Sequence, residues 1–274
     1  MIHPFRLVLV LVLGIGAVVT VRAQEADATA PGSIEWVVRS FMKEKEFPDR
    51  QRYYTADLKL AGSRPTPGSM FYDDKYELEL RINEQDEFSA AVAVTMVDRG
   101  ANQQSDYYLF LRRVDDLWKL AALRTFQQPS GMGQMYAALA AKGKSIDARD
   151  LRELGILQVF KYNDWALKQT FQQRREQLEE IAQAVMKKGS EDVIHGGQRS
   201  SRVDKKIWEQ VRDSALNYVQ LQPSGVIEFN AAAYGEAAVG FLHVGTGAKP
   251  PKATPEDYIL VEPLDGPWYL YRRM

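Results

Sequence analysis

The sequence predicts an α+β protein made of two tandem domains, each a helical segment followed by an antiparallel sheet, joined by a helical bridge. Two observations support this prediction. Apolar residues follow a helical period and then an alternating period, twice along the chain. The second of these segments also repeats residues of the first at regular separations. The predicted domains cover residues 31–128 and 167–274, with the bridge at 129–166.

The N-terminal segment, residues 1–23, has the pattern of a secretory signal peptide. Arg6 precedes an uncharged apolar run over residues 7–19, and small residues follow that run. An uncleaved anchor is the alternative, but the run is shorter than the about 20 apolar residues that span a bilayer. We therefore expect an exported protein, periplasmic or extracellular, that begins at Gln24 and retains no membrane span after cleavage. Residues 24–30 are then a linker.

Composition excludes several classes of protein. Among 274 residues, 35 Lys and Arg face 36 Asp and Glu, so no basic excess is present to bind nucleic acid. The sequence contains no cysteine, which excludes disulfides, thiolate ligands and cysteine nucleophiles. Cleavage leaves two histidines, His195 and His243. These are too few for a zinc site without cysteine, and we predict neither a metal nor a cofactor.

The helices of the first domain precede its strands. Ile34, Val37, Val38 and Phe41 have helical spacing, and a shorter helix is expected around residues 49–57. Alternating or continuous apolar runs then predict strands over 76–83, 88–97, 107–113 and 117–126. The last two strands form a hairpin that turns at Asp115-Asp116.

The second domain repeats this order. A helix containing Phe171 and Val185 should end at Gly189, and a shorter helix is expected over 204–218. Strands are predicted over 226–230, 237–244, 258–262 and 268–272. The bridge is helical because apolar residues recur in it at helical spacing.

The repeat is clearest near the end of each domain. Tyr108 and Trp118 recur as Tyr258 and Trp268, separated in both cases by 150 residues. Upstream, matching apolar positions recur in the same order at separations of 147 and 144 residues. Because the separation changes only by a few residues within loops, we interpret the pattern as a tandem duplication with a divergent second copy.

The element order and the Asp-x-x-Trp-x-Leu motif together resemble a known superfamily. The motif occurs as Asp115, Trp118 and Leu120 and again as Asp265, Trp268 and Leu270. This pattern resembles the nuclear transport factor 2-like superfamily (SnoaL-like, ketosteroid-isomerase-like and cystatin-like rolls), in two tandem copies. The resemblance implies that each sheet curves into a cone or roll around its long helix. It also implies a pocket on the concave face and a partner on the convex face.

The strand predicted over 88–97 is apolar on both faces, since Ala90 and Val92 alternate with Ala91 and Ala93. Strands of this kind are covered on both faces. The cover is either the other copy, which gives a monomer with pseudo-dimeric domains, or a second chain in a homodimer.

Three residues are candidate ligand contacts: His243, Tyr107 and Tyr108. The duplication matches His243 to Met96, which places it on the helix-facing side near a strand end, at a pocket rim or as a buried histidine bonded to a carbonyl. Isomerases and dehydratases of the superfamily use a pocket Asp with a Tyr or His. No carboxylate in the sequence stands out for that role, and the catalytic residues are unknown. His195-Gly196-Gly197 has no accompanying Gly-x-Ser-x-Gly motif and is interpreted as a loop.

These features favour an exported, non-catalytic binding protein. Its partner would be a small apolar ligand or a protein, bound in the cone or on the sheet surface. The alternative is an enzyme of isomerase, dehydratase or hydrolase type that uses a His/carboxylate pocket.

Cleavage of the signal peptide gives the first testable prediction. We expect the exported protein to begin at Gln24, as measured by the intact mass of the secreted form. A full-length mass in the membrane fraction would contradict it.

Overall fold

The structure is a computed structural model that describes residues 30–43, 49–55, 76–101, 103–126, 131–189, 192–197, 200 and 203–274. The predicted signal peptide, residues 1–23, lies outside the described residues, as does all of the predicted linker except residue 30. In the part that the structure describes, no helix combines the length and apolar composition needed to cross a bilayer.

The described residues of the first half form one α-helix and a four-stranded sheet. Helix α1 spans Ile34–Lys43, and a 3₁₀ turn follows at Arg50–Tyr53. The strands are β1 (Tyr76–Gln85), β2 (Ser89–Asp98), β3 (Gln103–Val114) and β4 (Leu117–Arg124). They form an antiparallel sheet, sheet 1, in the order β1-β2-β3-β4. The β3–β4 hairpin turns at Asp115 and Asp116, as predicted, and both residues have positive φ, which suits the twist of a two-residue hairpin turn.

Three helices occupy the middle of the chain: α2 (Met132–Ala141), α3 (Ala148–Phe160) and α4 (Asp164–Lys188). A 3₁₀ turn, Gly143–Ser145, separates the first two. Helix α4 has 25 residues. It begins where the Asn163 side chain accepts a hydrogen bond from the N–H of Ala166, and it ends at Gly189, which adopts the left-handed conformation. The helical bridge and the helix end at Gly189 are therefore confirmed.

The second half contains one more helix, α5 (Lys205–Asp213), and a six-stranded antiparallel sheet, sheet 2. Its strands are β5 (Ile194–His195), β6 (Tyr218–Leu221), β7 (Val226–Tyr234), β8 (Ala237–Val244), β9 (Tyr258–Pro263) and β10 (Trp268–Arg273). Their order is β5-β6-β7-β8-β10-β9. The α+β class with two antiparallel sheets is confirmed.

The tandem duplication predicts that Trp118 and Trp268 occupy equivalent positions on the last strand of each sheet. This prediction is wrong, because the two sheets differ in strand order. Trp118 is on β4, the edge strand of sheet 1, whereas Trp268 is on β10, between β8 and β9. The connections explain the difference. The short link 99–102 allows β3 to pair only beside β2. The longer link 245–257 allows the β9–β10 hairpin to place its second strand, β10, rather than β9 beside β8.

Sheet 1 is covered on both faces within the chain. Ala90, Val92 and other residues of that parity pack against α1. Ala91 and Ala93, on the other face, belong to a large core that includes Phe171 of α4 and much of sheet 2. The predicted cover on both faces of this sheet is therefore confirmed, and residues of the same chain supply it.

Truncation of Trp268 should strongly destabilise the protein. Its ring is 1% exposed, packs against Phe171 and Phe229, and donates from Nε1 to Glu179 Oε2 over 2.9 Å. We expect Trp268→Ala to lower the free energy of unfolding by about 3–5 kcal/mol, because it leaves a large cavity. Trp165, which is 60% exposed, is the matched control, and Trp165→Ala should change stability by less than about 0.5 kcal/mol. Urea unfolding followed by circular dichroism checks this, and equal losses in the two variants would contradict it.

Candidate functional site

The structure separates the three predicted ligand contacts. Tyr107 and Tyr108, on β3, line a pocket of about 340 Å³ beside the α3–α4 junction, and Arg272 of β10 lines the same pocket. His243 pairs with Trp268, at the opposite end of β10. Arg272 lies four positions along β10 from Trp268, a distance of about 13 Å along the strand. The tyrosines and the histidine therefore do not form one site.

His243 is buried rather than at a rim. It is 5% exposed, and its ring stands edge-on to Trp268 with centroids 4.9 Å apart. Burial lowers the pKa of His243, although the charge of Glu179 opposes this effect. Its Nδ1 atom is buried and has no hydrogen-bond partner among the residues that the structure describes. The predicted position on the helix-facing side is confirmed, and a role in ligand binding stays a prediction.

A network of buried charges lies behind the smaller pocket, centred on the Asp164 carboxylate. Tyr108 donates its hydroxyl to Asp164 Oδ1 over 2.8 Å, and Arg272 donates from Nε to the same oxygen over 2.8 Å. Arg81 donates from Nη2 to Oδ2 over 3.0 Å. Burial raises the pKa of Tyr108 well above its ordinary value, so its hydroxyl remains a donor at neutral pH.

Asp106 lies between this network and the smaller pocket. Its Oδ2 accepts from the backbone N–H of Asp164 over 2.8 Å, and its Oδ1 accepts from the Thr95 hydroxyl over 2.8 Å. Burial, together with the negative charge of Asp164, raises the pKa of the Asp106 carboxyl. A half-buried carboxyl with a raised pKa can hold a proton at a higher pH than an exposed one.

A second, larger cavity of about 1110 Å³ lies between the bridge helices α2 and α3 and the β7 strand. The apolar part of its lining comes from Met135, Ile156, Leu157, Ala233 and Tyr234. The polar part includes Arg149, Arg152, Glu153, His195 and Asn217. The cavity therefore combines an apolar wall with a small group of charged and polar side chains.

Sequence reasoning missed Asp106 and the arginines for different reasons. Asp106 shares a strand face with Tyr108, and this alternation is the signal that could have identified it. Arg149 and Arg152 are three residues apart on a helix and so lie on one face. The bridge was interpreted as a connector, however, and only the tertiary structure shows that it forms one wall of a cavity.

Within the described ranges, no group of three His, Asp or Glu side chains is placed to hold a metal ion. The chain matches no protein-family model, no curated protein and no solved structure with which it was compared. The nuclear transport factor 2-like resemblance accordingly stays a prediction from the residues quoted for it.

Replacing Asp106 should flatten the pH dependence of stability. Because the folded state raises the pKa of this carboxyl, the folded protein binds the proton more tightly than the unfolded chain does. Stability is then lost as the pH rises through the folded-state pKa. We expect Asp106→Asn to gain stability relative to wild type as the pH rises from about 4, the ordinary aspartate pKa, through the raised pKa of Asp106 in the folded protein.

Urea unfolding of both proteins across this pH range tests the prediction. Asp116→Asn is the control, since the Asp116 side chain is 97% exposed. Parallel stability curves for wild type and Asp106→Asn would show that Asp106 does not titrate differently in the folded protein.

Proposed function

We propose that the protein is an exported, non-catalytic binding protein that holds a small, largely apolar ligand in the larger cavity. One observation supports this above the others: a space of about 1110 Å³ is walled on one side by Met135, Ile156 and Tyr234. Small-molecule sites are commonly cavities of roughly 300–1,000 Å³ that are mostly apolar, with a few polar groups to orient the ligand. Export is proposed from the signal-like sequence of residues 1–23.

A ligand is better supported than a protein partner on the sheet surface. Both faces of sheet 1 are already packed within the chain. On the outer face of sheet 2, buried residues including Leu242 and Tyr271 pack with Ala248 and Ala253 of the link between β8 and β9. These sheet faces are therefore packed against other parts of the same chain.

Acid–base catalysis is the second candidate, and one observation favours it. Asp106, with its raised pKa, lines the smaller pocket with Tyr107 and Tyr108. His243 supports this candidate less, because it lines neither of the two pockets and its ring packs against Trp268. The candidates predict different sensitive positions, Asp106 for catalysis and the cavity wall for ligand binding.

Fluorescence titration with N-phenyl-1-naphthylamine, an uncharged aromatic probe, tests the binding function. Wild-type protein should bind the probe saturably. Met135→Trp adds side-chain volume to the cavity lining, and we expect it to weaken binding about tenfold, which corresponds to about 1.4 kcal/mol.

Ala138→Leu is the matched control. Ala138 is exposed on α2, which also supplies Met135, and it does not line the cavity. Circular dichroism should show that both variants are folded. Absence of binding to wild type, or the same affinity in both variants, would overturn the proposed function.

A further inference from the structure

Arg152 is held against the cavity wall by backbone carbonyl groups. Its Nη2 atom donates to the carbonyl oxygen of Leu216 and, over 3.4 Å, to that of Asn217. These carbonyls belong to the segment that leads into β6. The two bonds fix the guanidinium while leaving its Nε and Nη1 donors without an acceptor in the part of the chain that the structure describes.

The charge of Arg152 is not matched by a nearby carboxylate. Two other arginines are paired with a buried carboxylate: Arg272 with Asp164 at 2.8 Å, and Arg81 with Asp164 at 3.0 Å. The half-buried Arg124 and Arg174, like Arg152, donate to backbone carbonyls, but neither lines the larger cavity. No such ion pair is formed by Arg152 or Arg149 with any described residue, although Glu153 also lines the cavity. Burial lowers the pKa of Arg152, and no attractive charge contributes to oppose that effect.

Gly196 has no side chain, and this leaves room for the Arg152 guanidinium. A Cβ atom at this position would lie 2.5 Å from the Leu216 carbonyl oxygen and 2.5 Å from Nη2 of Arg152. Both distances are too short for a real contact, so any larger residue would displace the guanidinium or the backbone. The His195-Gly196-Gly197 segment thus has a physical role, which is to let Arg152 reach the carbonyls.

We infer that the ligand of the larger cavity is an amphiphile whose anionic headgroup, a carboxylate, sulfonate or phosphate, binds to Arg152 and Arg149. This inference rests on the proposed function. A guanidinium with unused donors forms charge-assisted hydrogen bonds to such oxyanions. Arg149 lies nearly one helical turn before Arg152 and lines the same cavity. The apolar body of the ligand would then lie along Met135, Ile156 and Tyr234.

A matched pair of probes tests the inference. 8-Anilinonaphthalene-1-sulfonate has the ring system of N-phenyl-1-naphthylamine with one added sulfonate. Wild type should bind the sulfonate more tightly. Arg152→Met, which removes the charge and keeps most of the apolar stem, should weaken sulfonate binding about 10- to 100-fold, the range for hydrogen bonds to charged groups. It should change binding of the uncharged probe by less than about twofold.

The control is Arg99→Met, because Arg99 is exposed and pairs with Glu77 far from the cavity lining. If Arg152→Met does not fold, Arg149→Met replaces it, since Arg149 is exposed, and it should weaken sulfonate binding selectively.

Each result has one meaning. Binding of both probes with equal affinity, or loss of neither in the arginine variants, overturns the anionic headgroup and leaves the apolar cavity function standing. Failure of both probes to bind wild type overturns the proposed function itself.

Discussion

The Asp164 carboxylate is the contact on which the arrangement of the two sheets depends. It accepts from Arg81 and Tyr108 of sheet 1 and from Arg272 of sheet 2, while its own residue is the first of α4. One buried anion therefore joins both sheets to the longest helix. Removing one partner of such a pair typically costs about 3–5 kcal/mol, because a charge is left buried without compensation. Asp106 of sheet 1 also joins that sheet to the helix, because it accepts a hydrogen bond from the first N–H of α4.

Two opposing electrostatic effects act on the pKa of the Asp106 carboxyl. Three basic side chains form ion pairs with only two carboxylates in this network. The basic residues are Arg81, Arg272 and Lys168, and the carboxylates are those of Asp164 and Glu262. An ionised Asp106 would neutralise the remaining positive charge, and the charge of Arg272 does lower its pKa. Burial and the neighbouring Asp164 carboxylate outweigh that attraction. The ionisation of a single pocket residue is consequently coupled to how firmly α4 docks on sheet 1.

The features that the sequence predicts correctly depend either on a few neighbouring residues or on how polar and apolar residues alternate along a strand. The Asp115-Asp116 turn and the helix end at Gly189 depend on a few adjacent residues. The cover on both faces of sheet 1 follows from strands that are apolar in both parities. Strand order in sheet 2 was not predictable in this way, since it depends on which strand of the β9–β10 hairpin meets β8. Likewise, the sequence around Arg152 does not distinguish it from other helical arginines. Its contacts with the Leu216 and Asn217 carbonyls form only in the folded chain.

The molecule thus separates the polar groups that hold it together from those available to a ligand. Asp164 is 1% exposed and accepts from donors within the protein. Arg152 is half-buried beside the larger cavity, and its Nε and Nη1 donors bond to no described residue. A ligand in that cavity contacts α2, α3 and β7 together, and these surfaces come together only in the folded state. Under the proposed function, binding therefore stabilises the folded protein by about 2.7 kcal/mol when the free ligand is at one hundred times its Kd. Under the proposed function, the bridge helices form one wall of the binding site as well as linking the two sheets.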